Sequence, residues 1–124
     1  MPWEIGLINS NQIVRVINYG TMVPESFKKM AEEALSVAHK GGLHRFLVDQ
    51  REMEADLSTM EVYDLAEMLH EAGYGPKDRL AHVFVPSSSD AKDFEFYATV
   101  CRNQGLMVRV FKDLDGALRW LTGG

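Results

Sequence analysis

Two hydroxyl side chains, Ser58 and Thr59, stand where a helix is predicted to begin, and a hydroxyl there can accept a phosphate. Such a phosphate would meet the positive end of the helix dipole, which stabilises negative charge. Ser58 also has a structural role, because Glu61 follows three residues later and the two can form a capping box. We predict capping as the main role of Ser58 and keep both hydroxyls as phosphorylation candidates.

A second group of polar residues follows the short apolar strand predicted at residues 46–48. Its candidate members are Asp49, Arg51, Glu54 and Asp56. The carboxyl ends of strands form the edge at which open α/β sheets usually bind ligands. The run ending at Asp56 is typical of a solvated acidic loop, which could meet a basic partner. We predict that these residues bind a partner, and we predict no catalytic residue, because no further reactive group accompanies Asp49 and Arg51.

A third group is the serine run Ser87, Ser88 and Ser89, which precedes Asp90 at another predicted helix start. Backbone N–H groups and hydroxyls at a helix N-terminus can hold a phosphate or a carboxylate. The same run is also typical of a solvated capping loop, and it contains no glycine. Both interpretations stay open, and the three serines are candidate anion-binding residues.

The histidines and the single cysteine predict no metal site and no cofactor. The histidines, His39, His44, His70 and His82, show no metal-ligand spacing. His82 alternates with apolar residues in a strand, which favours a partly buried, hydrogen-bonded imidazole. Cys101 falls within the apolar spacing of a helix, so we expect a buried, unreactive thiol.

Composition limits the classes of protein that this chain could be. Its 124 residues suit one domain, 1–124, and 46% hydrophobic with 25% charged residues is ordinary for a globular protein. A net charge of −5 argues against nucleic acid as a partner. The apolar runs are too short to span a bilayer, and the start Met-Pro-Trp-Glu lacks the features of a secretory signal, so we expect a cytoplasmic protein.

The first half of the chain predicts a hairpin, a helix and a strand. Apolar residues at 3, 5 and 7 and the β-branched run at 13–19 flank a turn cluster at 9–11. Apolar residues then recur at helical spacing from Phe27 to Ala38, until Gly41. The strand at 46–48 follows.

The second half alternates helices with strands. Helices are predicted from the Ser58 cap to Gly73, over the inner stripe 94–101, and after a cap at Asp113. Strands are predicted at 80–85 and 107–111. The order β-β-α-β-α-β-α-β-α requires crossover connections, so we predict an α/β fold with a mixed, mostly parallel sheet and helices packed on it.

Four segments give the chain a family resemblance. They are Phe-Leu-Val-Asp at 46–49, the Leu-Ser helix start at 57–58, Gly-Leu-Met-Val-Arg-Val-Phe at 105–111 and Ala-Leu-Arg-Trp-Leu at 117–121. With the element order, they resemble the SpoIIAA-like proteins, the STAS and STAS-like domains. In the anti-sigma antagonists of that family, a phosphorylatable serine lies in the first turn of the helix after a strand ending in Asp. Residues 56–60 offer Asp56 and two hydroxyls there but no glycine, so that motif is not intact.

The resemblance implies a bacterial, cytoplasmic, non-enzymatic module that binds or regulates a protein partner. It places the contact at residues 50–60 and the first turn of the second helix. An alternative is a carrier of a small apolar or anionic ligand, because the SEC14 lipid-binding fold resembles this architecture and Phe94, Phe96 or Tyr97 could line a crevice. The oligomeric state is open, and a homodimer is possible.

Overall fold

The computed structural model describes residues 3–85 and 88–123. Within these ranges the elements follow the predicted order. Their bounds are β1 Trp3–Ile8, β2 Ile13–Met22, α1 Pro24–Lys40, β3 Arg45–Ala55, α2 Thr59–Glu71, β4 Arg79–Val83, α3 Asp90–Asn103, β5 Met107–Phe111 and α4 Leu114–Thr122. The predicted α/β class is confirmed. No helix among the described residues is long and apolar enough to cross a membrane.

The five strands form one sheet in the order β1-β2-β3-β4-β5. The opening hairpin pairs β1 with β2 antiparallel, and the other three pairings are parallel. Each parallel pairing needs a crossover, which α1, α2 and α3 supply. The sheet is therefore mixed and mostly parallel, as predicted.

The helices cover the two faces of the sheet unequally. On one face, α1, α2 and α3 bury a large core that includes Phe46 and Val48 of β3. On the other face, the short helix α4 packs Ala117 and Leu121 against a smaller core that includes Leu47. Because neighbouring strand residues point to opposite faces, one apolar strand supplies both cores. The predicted inner stripe of α3 is confirmed, since its buried residues are Phe94, Tyr97, Ala98 and Cys101.

Strand β3 is much longer than the sequence predicts. Its first part, up to Asp49, pairs with β4, and the part that follows continues beside β2 as far as Ala55. A register shift between Ile17 and Tyr19 inserts an extra residue into β3. Most of the stretch predicted as an acidic loop is therefore strand. Its charged residues are accommodated because this part of β3 is open to solvent on one face.

Candidate functional site

The capping box predicted at the start of α2 is present. The Glu61 backbone N–H donates to Ser58 Oγ at 3.2 Å, and the Ser58 N–H donates to Glu61 Oε1 at 2.8 Å. Ser58 and Thr59 are both exposed. The cap thus satisfies two backbone groups at the helix start and leaves the hydroxyls open to solvent.

Removing the cap should cost measurable stability. We expect Ser58→Ala to lower the free energy of unfolding by about 1 kcal/mol, because Glu61 N–H loses its acceptor. Thr59→Ala is the matched control and should change it much less, since the Thr59 side chain supplies no part of the cap. Urea unfolding of the two variants measures the difference. Equal midpoints for Ser58→Ala and the parent would contradict the role of the cap.

Three large apolar side chains are exposed together beside this cap. Met60 and Tyr63 of α2 are 71% and 51% exposed, and Phe96 of α3 is 40% exposed. The rings of Tyr63 and Phe96 meet edge to face, with centroids 5.1 Å apart. Met60 lies three residues before Tyr63 and shares its side of the helix. We call Met60, Tyr63 and Phe96 the apolar patch.

Acidic residues flank the apolar patch on both helices. The exposed carboxylates three or four residues from a patch residue, on the same helix, are Asp64 and Glu67 of α2 and Asp93 of α3. Lys92 of α3 is exposed as well. The carboxylates outnumber the ammonium group, so the described surface around the patch carries net negative charge.

The predicted partner-binding residues occupy two separate places. Asp49 and Arg51 form a two-pronged ion pair within β3, with Nε to Oδ1 at 2.9 Å and Nη2 to Oδ2 at 2.8 Å. Partial burial alone would raise the pKa of Asp49, but the hydrogen bonds from Arg51 outweigh it and hold that pKa below its usual value. Glu54 near the end of β3 and Asp56 after it are exposed on the approach to α2. In sequence, Glu54 and Asp56 therefore lie nearer to Met60 of the apolar patch than the ion pair of β3 does.

The serine run precedes α3, and Ser87 lies outside the described residues. Ser88 Oγ accepts from the Asp90 N–H at 3.2 Å, while the Ser89 side chain makes no capping bond within the described part of the chain. The carboxylate of Asp90 accepts from the Ala55 N–H at 2.9 Å. A carboxylate of the chain already occupies the first turn, which favours the capping interpretation over an anion site.

A chain of buried polar groups crosses the main core. His82 Nδ1 lies 2.7 Å from Oε1 of Gln50, and its Nε2 lies 3.4 Å from the Tyr97 hydroxyl. His82 is fully buried, so the predicted hydrogen-bonded imidazole is confirmed and its burial is more complete than expected. Burial lowers the pKa of His82 to about 3, which keeps the ring neutral. From the sequence, we placed Gln50 at the start of the contact segment 50–60 and missed its burial, for which its position two residues after Val48 is the signal.

The thiol of Cys101 lies at the end of this chain of polar groups and is fully buried, as predicted. Burial raises the pKa of Cys101 to about 12, although the neighbouring Tyr97 hydroxyl opposes that shift. We expect a thiol reagent to label the native protein far more slowly than the unfolded protein, because the thiolate is the reactive form. Rapid stoichiometric labelling without unfolding would show that the thiol is accessible.

A cluster that the sequence did not indicate joins His39, His44 and Asp78. Both imidazoles contact the carboxylate of Asp78, which is 2% exposed. Asp78 stands 34 residues from His44 in the chain. Only the fold brings them together, so a search for short ligand spacings could not find the cluster, and none of the three was among the predicted site residues.

Comparisons with known proteins identify the fold. No protein-family model matches the chain, and neither does any curated protein. One matching solved structure is the crystal structure of an uncharacterised protein of the DUF3478 family, with a SpoIIAA-like fold, from Shewanella loihica PV-4. It covers 96% of this chain and 93% of its own, with a TM-score of 0.57 and 20% sequence identity. The fold is SpoIIAA-like.

The connection between β3 and α2 determines where the hydroxyls of Ser58 and Thr59 lie. Residues 56–58 lead from β3 into α2, and the Asp56 N–H donates to the carbonyl oxygen of Met22 at 2.9 Å. This bond ties the connection to the end of β2 and presents Ser58 and Thr59 to solvent. That either hydroxyl accepts a phosphate stays a prediction.

The interior of this SpoIIAA-like domain is closely packed around the predicted ligand crevice. Phe94 and Tyr97 are fully buried, whereas Phe96 faces outward in the apolar patch, so the three do not line one crevice. A cavity beside His82 and Phe27 has a volume of about 20 Å³. That is room for about one water molecule and far too little for an acyl chain.

Proposed function

We propose that this chain is a bacterial, cytoplasmic, STAS-like binding module without enzymatic activity, and that it docks a basic protein segment on the apolar patch. The exposure of Met60, Tyr63 and Phe96 beside the α2 cap carries the proposal. Large apolar side chains that converge on the surface are typical of protein-binding sites. The patch also includes Met60 in the first turn of α2, where the family resemblance led us to expect a contact.

The chemistry of the patch suits an interface in which few residues supply most of the binding energy. Tyr63 and Phe96 are held against each other edge to face, so little side-chain freedom remains to be lost on binding. Aromatic residues and methionine are enriched in interface cores, and tyrosine is among the commonest energetic hot spots. A partner with an apolar anchor could therefore bury the patch without first reorganising it.

The acidic surroundings of the patch select the charge of the partner. Asp64, Glu67 and Asp93 would attract a segment rich in lysine or arginine and would speed its encounter. A second copy of this chain, docked face to face on the same patch, would bring like charges together. The proposed occupant is accordingly a different, basic protein rather than a homodimer.

The two hydroxyls of α2 offer a means of regulation under this proposal. A phosphate on Ser58 would lie beside the Glu61 carboxylate that completes the capping box, and the two anions would repel each other. It would also add negative charge at the border of the apolar patch. Phosphorylation would thus alter the same surface that the partner occupies.

A pull-down from the native host tests the proposed surface. We expect a basic protein to be retained by the parent chain and lost with the double variant Tyr63→Ala, Phe96→Ala, because both aromatic anchors are removed. Val37→Ala is the matched control, since Val37 is an exposed apolar residue on α1 at 42% exposure. Reversing Glu54 and Asp56 to Lys should weaken retention by removing part of the negative charge. Retention of the same partner by the double variant at the parent's level would overturn the proposed surface.

The carrier alternative receives less support from the geometry. An apolar ligand needs an enclosed pocket, and the cavity beside His82 holds about 20 Å³. An open, polar cleft of about 490 Å³ lies between α3 and β5, with Arg102 and Arg109 among its lining residues. Arg102 already donates to the Val108 carbonyl oxygen at 2.8 Å. Native mass spectrometry of the purified protein would reveal a retained ligand directly.

A further inference from the structure

The cluster of His39, His44 and Asp78 lies at the end of the sheet where the parallel strands β3 and β4 begin. His39 is in the last turn of α1, and His44 and Asp78 directly precede β3 and β4. The parallel register pairs Arg45 with Arg79, so the residues before them lie side by side. The Arg79 N–H donates to the His44 carbonyl oxygen at 2.8 Å, which fixes the two connections together.

The potential ligand atoms of the cluster are close enough to share one ion. His39 Nε2 is 3.1 Å and His44 Nδ1 is 2.8 Å from Oδ1 of Asp78, and the three residues offer ligand atoms within 4.8 Å of one another. Around a tetrahedral zinc ion with bonds of about 2.0–2.2 Å, neighbouring ligand atoms lie about 3.3–3.6 Å apart. Small rotations of two imidazoles would reach that spacing.

Burial divides the cluster into a fixed anchor and two adjustable ligands. The Asp78 side chain is 2% exposed, and its Oδ2 accepts from the Gly75 N–H at 2.8 Å. The side chains of His39 and His44 are 35% and 44% exposed, and the His39 ring rests edge-on against Phe46. The hydrogen bond from the Gly75 N–H fixes the orientation of the Asp78 carboxylate, as outer contacts commonly do for metal ligands. The exposed side leaves room for a fourth ligand.

We infer that His39 Nε2, His44 Nδ1 and Asp78 Oδ1 form a binding site for one Zn²⁺ ion, with an anion or a water molecule as the fourth ligand. Two imidazoles and a carboxylate are ligands that zinc prefers. Arg45 and Lys77 line the adjoining cleft with His44, and their positive charge favours an anion in the fourth position. The site lies at the opposite end of the strands from the start of α2 and is independent of the proposed partner surface.

Calorimetric titration of Zn²⁺ into the untagged, metal-stripped full chain tests this site. We expect one equivalent to bind, and we expect His44→Ala to weaken binding by more than about tenfold, because losing even an outer contact to a ligand costs that much. His39→Ala serves as a second variant and should do the same. His70→Ala is the matched control, since His70 is exposed on α2 and does not belong to the group of His39, His44 and Asp78, and it should bind like the parent. Co²⁺ in place of Zn²⁺ should give the visible absorption of a four-coordinate ion in the parent and the control.

Three results would overturn the site. The first is no saturable binding of Zn²⁺ to the parent chain. The second is equal affinity in the parent, His39→Ala and His44→Ala, which would show that zinc binds elsewhere. The third is a loss of affinity in His70→Ala as large as that in the cluster variants. Circular dichroism of each variant confirms beforehand that the fold is retained.

Discussion

Phe94→Ala is expected to lower the free energy of unfolding by about 3–5 kcal/mol, the usual cost of deleting a buried phenylalanine. Phe94 is fully buried on α3, and its ring packs against His82, Phe84 and Tyr97 at centroid distances of 5.0–5.6 Å. Truncation would leave a cavity beside the buried histidine as well as remove apolar contacts. Urea or thermal unfolding with a matched far-ultraviolet spectrum measures the change.

The control lies two residues further along the same helix. Phe96→Ala removes an identical side chain that is 40% exposed, so we expect it to change the free energy of unfolding by about 0.5 kcal/mol or less. A large loss at Phe96 would mean that this ring is needed for folding rather than free to bind a partner. A small loss at Phe94 would contradict the described core.

Acidification is expected to destabilise the protein through His82, by about 2 kcal/mol between pH 7 and pH 5 from this residue alone. Burial lowers the pKa of His82 to about 3 in the folded state, against 6.5 for the free side chain. Between these two pH values, His82 is protonated in the unfolded chain and neutral in the folded chain. The stability that the folded chain has with His82 neutral is therefore fully present above about pH 6.5. It is lost progressively as the pH falls toward 3.

The variant His82→Asn isolates this effect. Asparagine can keep an N–H near the position of Nδ1, which faces Gln50 Oε1, but it does not titrate. Although its stability at pH 7 will be lower, we expect its free energy of unfolding to fall less steeply from pH 7 to pH 5 than that of the parent. His70→Asn controls for an exposed histidine and should keep the parent's slope. Parallel slopes for the parent and His82→Asn would contradict a neutral buried imidazole.

The sequence predicted best those features that depend on nearby residues. The stripe of α1, from Phe27 to Ala38, and the capping box of Ser58 and Glu61 are confirmed because helix periodicity and capping act over three or four residues. The order of elements followed from the same local signals. Together with the crossover rule, that order was enough for the fold class.

The extension of β3 could not be predicted from its own residues. Arg51 and Glu54 break the apolar run that marks the buried part of the strand, and the register shift changes which residues point inward. Strand formation there depends on pairing with β2, about thirty residues earlier in the chain. A short-range pattern carries no information about that partner.

The two most informative surface features also depend on distant contacts. The apolar patch joins Tyr63 to Phe96 across two helices, and the histidine cluster joins His44 to Asp78 across two strands. Each residue alone has an ordinary structural explanation, as an exposed side chain or, for Asp78, as a buried carboxylate that accepts a backbone N–H. Their proximity, which the sheet order creates, is what gives them functional meaning.

Site-specific photo-crosslinking in the native host tests the central proposal most directly. A photoreactive amino acid in place of Met60, which is 71% exposed in the apolar patch, should crosslink to a basic protein. The same group in place of Val37 on α1 is the control and should not yield that product. We expect a product specific to the Met60 position that disappears when Tyr63 and Phe96 are both changed to Ala. The absence of a specific product from the Met60 position, or crosslinks only between copies of this chain, would contradict the proposed surface.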